Sequence, residues 1–344
     1  MLNNQPENSK PPAARPPVSL VVPLRDEAGS LEGLIESIGR QTFAPDEIIL
    51  VDGGSTDGTA ELARRLTAGD SRFRVIEAGE ATPGRGRNVG ADAARNEWIA
   101  LTDAGIRLEP TWLERLVEVA ERDPDVRVVY GSFEPVVDSF FMRCAALAYV
   151  SPKHESPSGR IRGPFIASSL LRRGVWREVG GFPDLRAAED LIFMERVKEH
   201  GFKTGWAPSA IVWWQLRPTL RSTFQKFALY SRHNVRAGRQ WDWHYGVARS
   251  YLLALPFLLL ALAHNIWWLA VPASIALARV AKNILSRREG ESLFRMLDPA
   301  QFAGVAVILG AIDLATFVGW AQAIIYKDRR PRRINRAGSS EFTG

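Results

Sequence analysis

The chain has 344 residues, of which 46% are hydrophobic, and a formal net charge of +6 at pH 7. This composition excludes a wholly disordered protein and allows one large domain or two. The single cysteine, Cys144, excludes an internal disulfide and favours a reducing compartment. Residues 1–17 are polar and proline-rich, with no apolar run typical of a signal peptide, and we predict that they form a disordered tail.

The first part of the chain alternates apolar runs with amphipathic segments. β-branched or fully apolar runs predict buried strands, and apolar residues spaced by three or four predict helices. Such alternation predicts an α/β fold with a parallel sheet and right-handed crossovers. The predicted strands are 18–23, 47–51, 73–76, 98–101 and 126–131, and the predicted helices are 29–40, 59–66, 87–95 and one after Pro110.

The middle of the chain gives weaker signals. Residues 140–165 lack a clear period, and Ser151 to Gly159 predicts a mobile loop. Regular segments return at 165–171 and 174–180. A helix from about Ala188 to His200 then carries Glu189 and Asp190 in its first turn, where negative charge also compensates the helix dipole.

The last third is basic and apolar. Residues 1–209 contain 26 lysines and arginines against 31 aspartates and glutamates, whereas residues 210–344 contain 18 against 7. Because the arginines flank apolar runs, this pattern indicates a membrane partner and no nucleic acid. Residues 219–237 predict a basic amphipathic helix that lies on a membrane surface.

Apolar runs beyond that helix predict two or three membrane spans. Tyr251–Ala263 and Ile266–Val280 are short, whereas Phe302–Tyr326 is long enough to cross a bilayer. Asp313 is the only charge in that last run. A charge inside a span suggests a functional residue, although a position near a span end or against another helix explains it equally well.

Four polar motifs follow the predicted strands. Ligands of open α/β sheets bind outside the carboxyl ends of strands. Leu101-Thr102-Asp103-Ala104-Gly105 delivers one carboxylate to such an end, although a simple polar turn has the same composition. The other motifs are Arg25-Asp26-Glu27, Val51-Asp52-Gly53-Gly54-Ser55-Thr56-Asp57-Gly58-Thr59 and Gly84-Arg85-Gly86-Arg87-Asn88-Val89-Gly90.

In this order and spacing, and with Gly180-Gly181-Phe182-Pro183 and Glu189-Asp190 downstream, the motifs closely resemble the family-2 glycosyltransferases of GT-A fold. The resemblance covers about residues 18–238. It implies a Rossmann-like, mostly parallel mixed sheet, a nucleotide-sugar donor and hexosyltransferase-like chemistry. It places donor-binding groups at Pro23, Asp26, Glu27, Asp52, Arg85, Arg87, Asn88 and Asp103.

Within this resemblance, the donor-binding residues have different expected roles. Asp26, Glu27 and Asp52 match positions that hold the base and ribose. Arg85 and Arg87 are expected to face a diphosphate, because guanidinium forks suit phosphate oxygens, or else to be solvated loop charges. Asn88 is expected either to bond the nucleotide or to cap the following helix, and Asp57 is expected to cap a helix.

The resemblance also implies a pair of aspartates after the fourth strand, which hold the donor ribose and a divalent cation. Asp103 matches the first member, but Gly105 stands at the second. Trp213-Trp214 stands where many relatives have a histidine ligand. A Mg²⁺ or Mn²⁺ site at Asp103 is therefore weakened but not excluded, because the diphosphate and waters also supply ligands. Arg85, Arg87 or Arg217 offers an alternative positive charge for the leaving diphosphate.

Asp190 matches the catalytic base of the family, and Glu189 would orient the acceptor or the base. An inverting transfer needs a carboxylate that takes the proton of the acceptor hydroxyl as the new bond forms. The amphipathic helix lacks a Gln-x-x-Arg-Trp motif, which argues against a processive polysaccharide synthase.

We therefore expect an inverting glycosyltransferase that moves a sugar from a nucleotide-sugar donor to a lipid or a lipid-linked glycan. The alternatives are a polyprenyl-phosphate sugar synthase and a catalytically silent, nucleotide-sugar-binding membrane scaffold. The expected location is the inner (plasma) membrane, multi-pass, with the catalytic domain in the cytoplasm. The expected organisation is a tail at 1–17, a GT-A domain at 18–215, an amphipathic interface helix and linker at 216–246, a transmembrane region at 247–326 and a basic tail at 327–344.

Overall fold

A computed structural model describes residues 15–156 and 158–326, which form two compact units. The described residues of unit 1 are 15–134, 155–184 apart from residue 157, and 190–214. Those of unit 2 are 135–154, 185–189 and 215–326. The predicted basic tail at 327–344, and all of the predicted N-terminal tail except residues 15–17, lie outside the described residues.

Unit 1 is organised around an eight-stranded sheet. Its strands are β1 (Val18–Leu24), β2 (Glu47–Asp52), β3 (Phe73–Glu77), β4 (Trp98–Leu101), β5 (Ile106–Leu108), β6 (Val128–Val136), β9 (Ser169–Arg172) and β10 (Thr204–Gln215). The order is β3-β2-β1-β4-β9-β6-β10-β5. Strands β1 to β4 pair in parallel, whereas β9 is antiparallel to β4 and β6, and β10 is antiparallel to β5. The predicted mixed α/β sheet is therefore confirmed.

The helices of the first part of the chain follow the predicted alternation. They are α1 (Leu31–Gly39), α2 (Thr59–Thr67), α3 (Pro83–Ala93), α4 (Trp112–Arg122), α6 (Arg173–Glu178) and α7 (Glu189–Glu199). Every residue of β2 and all but one of β1 are buried, as expected for parallel strands with both faces covered. This double burial explains why these strands read as continuous apolar runs.

The strand order places the predicted motifs together. From β1 the chain adds β2 and β3 on one side, and it then returns to add β4 on the other side of β1. Such a reversal opens a crevice at the carboxyl ends of the strands on either side of it. The loops after β1, β2 and β4 carry Asp26, Asp52 and Asp103, so these three motifs start from adjacent strand ends.

The structure corrects several local predictions. Helix α3 begins at Pro83, four residues before the predicted start, because Thr82 caps it and proline suits its first turn. The segment predicted as a mobile loop contains a two-stranded sheet of β7 (His154–Ser156) and β8 (Gly159–Ile161). The sequence did not predict the long strand β10, because its glycine, proline and serine are typical of loops.

Unit 2 is helical. Its helices are α5 (Phe140–Tyr149), α8 (Leu220–Arg236), α9 (Gln240–Ala263), α10 (Ala270–Ser286), α11 (Leu293–Met296) and α12 (Pro299–Ile325), and a short 3-10 helix spans Ile266–Leu269. The linker after α8 comprises only residues 237–239, since α9 already begins at Gln240. Residues 135–154, with α5, belong to this unit, whereas the sequence boundaries assigned them to the domain at 18–215.

Small residues allow the helices of unit 2 to pack closely. A Cβ added at Gly319 of α12 would lie 2.3 Å from the carbonyl oxygen of Ala228 in α8, and one added at Gly304 would lie 2.6 Å from Cys144 Sγ in α5. The Ser231 hydroxyl in α8 also donates to the Thr316 carbonyl oxygen at 2.7 Å. These contacts fix α5 and α8 along α12.

Three described segments are long and apolar enough to cross a membrane: His244–Ala263, Ile266–Ser286 and Pro299–Ile325. Helical residues beside the two short apolar runs extend them to sufficient length, which the runs alone did not show. The structure therefore provides three candidate spans where the sequence left two or three open.

Candidate functional site

Asp52 ends β2 at the carboxyl edge of the sheet and is only 3% exposed. Its Oδ2 atom accepts the N–H groups of Gly54 at 3.0 Å and Ser55 at 3.1 Å, which wrap the turn around the carboxylate. No donor among the described residues reaches its Oδ1 atom, which is shielded from solvent. An unsatisfied buried acceptor costs about 1–3 kcal/mol. This oxygen is therefore available to an N–H or O–H group of a ligand.

Asp26 connects the loops that follow β1 and β2. It has a left-handed backbone, with φ of 54°, and its Oδ1 accepts the N–H and hydroxyl groups of Thr56 at 2.8 and 3.2 Å. Its own N–H donates to Ser55 Oγ at 2.9 Å. One carboxylate oxygen is thus used to shape the site, and contact of Asp26 with a donor remains a prediction.

Glu27 and Asp57 complete this loop connection. The Glu27 N–H donates to Thr59 Oγ1 at 2.8 Å, and its carboxylate accepts the Ser30 hydroxyl. Asp57 accepts the Thr59 N–H at 3.1 Å and the Ala28 N–H at 3.1 Å. The hydroxyl of Thr59 also bonds Asp57 and lowers the pKa of its carboxyl group. The expected local role of Asp57 at the start of α2 agrees with these contacts.

Arg87 lies inside the protein rather than on an open loop. It is 3% exposed, and its Nη2 atom donates to Asp103 Oδ1 at 2.6 Å. Its guanidinium carbon also lies 5.6 Å from the centre of the Phe182 ring. The sequence predicts that Arg87 faces a diphosphate, and in the structure its guanidinium bonds Asp103. Its direct contact is therefore with the strand-four motif.

Arg85 differs from Arg87 in its surroundings. Its backbone N–H completes the cap on Thr82 at 3.2 Å, and its side chain is exposed. It has no acidic partner among the described residues. Arg85 therefore keeps the expected capacity to meet a diphosphate. Pro23 lies close to α3, since a Cβ added at Gly86 would lie 3.1 Å from the Pro23 side chain. Its contact with a donor stays a prediction.

Asn88 holds the glycine-rich turn before α7. Its Oδ1 accepts the Trp176 indole N–H at 2.9 Å and the Phe182 N–H at 2.8 Å, and its Nδ2 donates to the Phe182 carbonyl oxygen at 2.7 Å. Gly181 has φ of +67°, and a Cβ there would lie 2.7 Å from Asn88 Oδ1. Asn88 lies inside α3, which Thr82 caps, so the helix-cap alternative is wrong. Its amide bonds Phe182 and the Trp176 indole, and its contact with a nucleotide stays a prediction.

The Glu189-Asp190 pair opens α7, as predicted. Glu189 is buried, and Asp190 is half-buried and accepts the Leu191 N–H at 2.8 Å. One turn after Asp190, the Phe193 ring stacks on Phe182 with the ring centres 4.0 Å apart and the planes 16° apart. Contacts therefore run from Asp103 through Arg87 and Phe182 to α7. The sequence did not identify this role of Phe182 and Phe193, although the Gly-Gly-Phe-Pro motif marked the position.

The acidic groups near Asp103 fit a metal ion only in part. A Cβ added at Gly105 would lie 3.8 Å from both carboxylate oxygens of Glu27, so Glu27 borders the position where the resemblance expects a second acid. Within the described part of the chain, no three acidic, histidine or cysteine side chains form a metal-binding group. These residues therefore suit a hard cation that also takes ligands from a diphosphate and water.

Three other residues that bear on the metal question are Trp213, Trp214 and Arg217. The Trp213 indole N–H in β10 donates to Glu109 Oε2 at 2.8 Å, and the Trp214 ring lies 5.9 Å from that of Phe133. Both tryptophans thus have structural contacts at the position where the resemblance expects a metal ligand. Arg217, the alternative cation for the leaving group, belongs to unit 2.

Comparison with known sequences finds a family match for the part of the chain that carries most of these residues. Residues 19–163 match the family described as "Glycosyl transferase family 2". EpsH of Bacillus subtilis is 34% identical over 166 residues, which are 46% of this chain and 48% of EpsH, so the chain spans about half the length of that relative. The O-antigen chain rhamnosyltransferase RfbN of Salmonella typhimurium is 27% identical over 222 residues, 61% of this chain and 70% of RfbN.

A solved structure has the same fold. The mannosyltransferase PcManGT from Pyrobaculum calidifontis, determined in complex with GDP-Man and Mn²⁺, aligns with a TM-score of 0.55 and 19% sequence identity. The alignment covers 94% of this chain and 92% of PcManGT. At this level of identity, the likeness establishes the GT-A fold alone.

Proposed function

We propose that the chain, whose residues 19–163 match glycosyl transferase family 2, is an inverting glycosyltransferase that moves a sugar from a nucleotide-sugar donor to a membrane-associated acceptor. The observation that carries the proposal is the buried, unpaired Oδ1 of Asp52. Asp52 ends β2, and the Asp103 motif follows β4; these two strands flank β1 on either side. A nucleoside supplies the N–H and O–H groups that this edge lacks.

The donor is held by groups of different chemistry. Asp52 Oδ1 accepts an N–H or O–H group of the nucleoside, and Asp103 accepts a ribose hydroxyl. The exposed guanidinium of Arg85 bonds the diphosphate oxygens. Arg87 does not contact the donor in this scheme. It holds Asp103 in place by a hydrogen bond. Its guanidinium also lies near the Phe182 ring, which stacks on Phe193 of α7, the helix that carries Asp190.

A divalent cation, when bound, neutralises charge on the leaving diphosphate. Asp103 and Glu27 are the residues that would hold it. The Mn²⁺ in the PcManGT complex supports a cation in this fold. Gly105 leaves this chain with fewer protein ligands, so we propose that the cation binds weakly until the donor diphosphate is present.

Asp190 is the proposed base. As the acceptor oxygen forms its bond to the anomeric carbon and the bond to the diphosphate breaks, the Asp190 carboxylate takes the proton of the acceptor hydroxyl. Attack opposite the leaving group inverts the anomeric configuration. Glu189 orients the acceptor or the base.

The acceptor is proposed to be a lipid or a lipid-linked glycan at the inner (plasma) membrane, with the catalytic unit in the cytoplasm. Three apolar segments long enough to cross a membrane support this location. The basic residues of α8, which precede the first of these segments, support a cytoplasmic side for the preceding part of the chain. The name of RfbN, an O-antigen chain rhamnosyltransferase, supports a glycan product for this type of enzyme.

An Asp190→Asn variant tests the proposed base. Asparagine keeps the shape of the side chain but cannot take a proton, so transfer should fall at least about a hundredfold, the usual range for a general base. Nucleotide binding should stay unchanged, because Asp52, Asp103 and Arg85 are intact. The measurement is a screen of nucleotide sugars against membranes that contain the protein, with release of nucleoside diphosphate and sugar transfer both recorded.

Asp125→Asn is the matched control, because Asp125 is exposed and lies outside the site. It should keep the wild-type rate. Substantial turnover by Asp190→Asn would contradict the assignment of the base. Donor binding without release of diphosphate from any nucleotide sugar in the wild-type protein would instead favour the silent scaffold.

A further inference from the structure

Helix α8 has two chemically different sides. Its buried residues, Thr223, Ala228, Ser231 and Asn234, lie on one side, and Ala228 and Ser231 meet α12 there. At 3.6 residues per turn, the opposite side of the helix carries basic residues. These are Lys226, Arg232, His233 and Arg236. The helix therefore presents a basic face away from α12.

Further positive charge lies next to this face. Arg186, from the 185–189 segment of the same unit, interacts electrostatically with His233 and so adds a further positive charge. Within the described ranges, Arg186, Arg232 and His233 have no carboxylate partner. The Nε atom of Arg232 is shielded from solvent and meets no acceptor among those residues. A buried donor in this state is unfavourable and favours a ligand that supplies oxygen acceptors.

Burial and neighbouring positive charges lower the pKa values of two basic groups on this face. Burial, followed by the charges of Arg236, Arg232 and Arg186, lowers the pKa of His233 to about 4. Burial and the nearby charge of Arg217 lower the pKa of Lys226 to about 7. Neighbouring cations make the protonated form of each group less favourable. An anion would relieve this repulsion.

We propose that Arg186, Arg232, His233 and Arg236 form a binding site for the phosphate or diphosphate headgroup of the acceptor lipid. Guanidinium groups suit this role, because each presents paired N–H donors to phosphate oxygens. The description of the lipid as the acceptor rests on the proposed function. The binding site itself does not.

The position of α8 favours a lipid over a soluble nucleotide. Its Ser231 hydroxyl lies 2.7 Å from His244 Nε2 in α9 and 2.7 Å from the Thr316 carbonyl oxygen in α12. Both helices contain candidate membrane spans. The basic face is therefore fixed to the segments that would contact lipid. A phosphate monoester carries up to two negative charges, which suits several cations better than the single charge of a phosphodiester lipid.

The test measures binding by the full-length protein in neutral detergent micelles. The probe is a polyprenyl monophosphate, and polyprenol, phosphatidylglycerol and UDP are measured in parallel by native mass spectrometry and by competition. The monophosphate should bind at least about tenfold more tightly than polyprenol or phosphatidylglycerol, because the dianion gains charge-assisted hydrogen bonds. Equal binding of polyprenol or phosphatidylglycerol would overturn the proposal.

Variants then locate the site. Arg232→Gln with Arg236→Gln should weaken binding of the monophosphate about tenfold or more, whereas UDP binding stays unchanged. Arg221→Gln is the matched control, since Arg221 is an exposed arginine of the same helix. The charge-conserving pair Arg232→Lys and Arg236→Lys should retain more affinity than the glutamine pair. This comparison keeps the test valid if the glutamine variant folds poorly.

Three outcomes would overturn the site: unchanged lipid affinity in a folded glutamine variant, equal losses in Arg221→Gln, or loss of UDP binding in place of lipid binding. The last would assign the basic face to the donor. Intact binding of the monophosphate by a wild-type protein that transfers no sugar would contradict the proposed function alone. The experiments can therefore contradict the binding site and the proposed function independently of each other.

Discussion

Asp103 has its charge partly neutralised within the protein. The Arg87 guanidinium at 2.6 Å makes this carboxylate a weaker ligand for a divalent cation than an unpaired one. The second acid expected by the resemblance is replaced by Gly105, and the nearest carboxylate to that position comes from Glu27 in another loop. At the residue scale, metal affinity should therefore depend strongly on position 105.

Gly105→Asp should create a tighter cation site. The new carboxylate would lie next to that of Glu27, so without metal the two charges should repel and lower the free energy of unfolding by roughly 1 kcal/mol. This loss corresponds to a fall in Tm of about 2–4 °C for a chain of this size. Mn²⁺ should remove the repulsion and raise the Tm of the variant more than that of the wild type. Thermal unfolding with Mn²⁺ or chelator measures both effects.

Gly105→Asn is the control for this prediction. It adds a side chain of the same shape without the charge, so its Tm should respond to Mn²⁺ no more than the wild type does. The same Mn²⁺-induced increase in the aspartate and asparagine variants would contradict the proposed part of position 105 in cation binding.

At the element scale, the packing of α3 on β1 determines where Arg87 points. A Cβ added at Gly90 would lie 2.2 Å from Val21 Cγ1, and one added at Gly86 would lie 3.1 Å from Pro23 Cβ. Glycine at both positions lets the helix approach the strand without a side chain between them. This approach turns Arg87, one residue after Gly86, into the interior beside Asp103.

Gly90→Ala should destabilise the protein by about 1–3 kcal/mol, the usual cost of overpacking a core. The helix has to move away from β1, so donor affinity should fall together with stability. Denaturant unfolding and nucleotide binding measure the two losses. Val21→Ala in the Gly90→Ala background should restore part of both, because it removes the methyl groups that the new Cβ meets.

Gly39→Ala gives the opposite expectation and serves as the control. Gly39 lies in α1, and an added Cβ has no neighbour within 4 Å. Alanine is a better helix former than glycine, so this variant should be neutral or gain up to about 1 kcal/mol. A similar loss of stability in both variants would show that close packing on Val21 is not the cause.

At the scale of the whole molecule, Asp313 connects three helices of unit 2. It is 2% exposed and accepts Arg279 Nη1 at 2.5 Å, Arg279 Nη2 at 2.7 Å and the Tyr251 hydroxyl at 3.0 Å. The three residues come from α12, α10 and α9, each of which contains a candidate span. The pair therefore satisfies two charges that would be costly in an apolar surrounding. Of the explanations left open by the sequence, this geometry supports contact with another helix.

Asp313→Leu should destabilise unit 2 by about 3–5 kcal/mol, because it leaves Arg279 without its buried counter-ion. Asp313→Leu combined with Arg279→Leu should recover most of that loss, since neither charge remains to be compensated. Thermal unfolding of the purified protein in detergent provides the measurement.

Tyr251→Phe removes one neutral hydrogen bond and should cost only about 0.5–1.5 kcal/mol, so it is the matched small perturbation. An equal loss in Asp313→Leu and in the Asp313→Leu, Arg279→Leu variant would contradict an unpaired Arg279 as the cause of the destabilisation.

The sequence by itself determined the features that depend on residues close together in the chain. Apolar runs and helical spacing gave the order of most strands and helices. Turn motifs located Asp26, Asp52 and Asp103 at strand ends, and the carboxylate pair located the start of α7. These features depend on the backbone preferences of the residues and on the pattern of apolar side chains that become buried. Both can be recognised within short segments of the sequence.

Only the tertiary structure decided which distant residues meet. It paired Arg87 with Asp103, set Asn88 against Phe182, joined residues 135–154 to the C-terminal helices and gave Asp313 its partner Arg279. None of these pairs has a local signal, because a charged or polar side chain is satisfied equally well by any suitable group that packing brings within reach. Close contacts at Gly90 and Gly319 fix the positions of α3 and α12, and these positions determine which side chains meet.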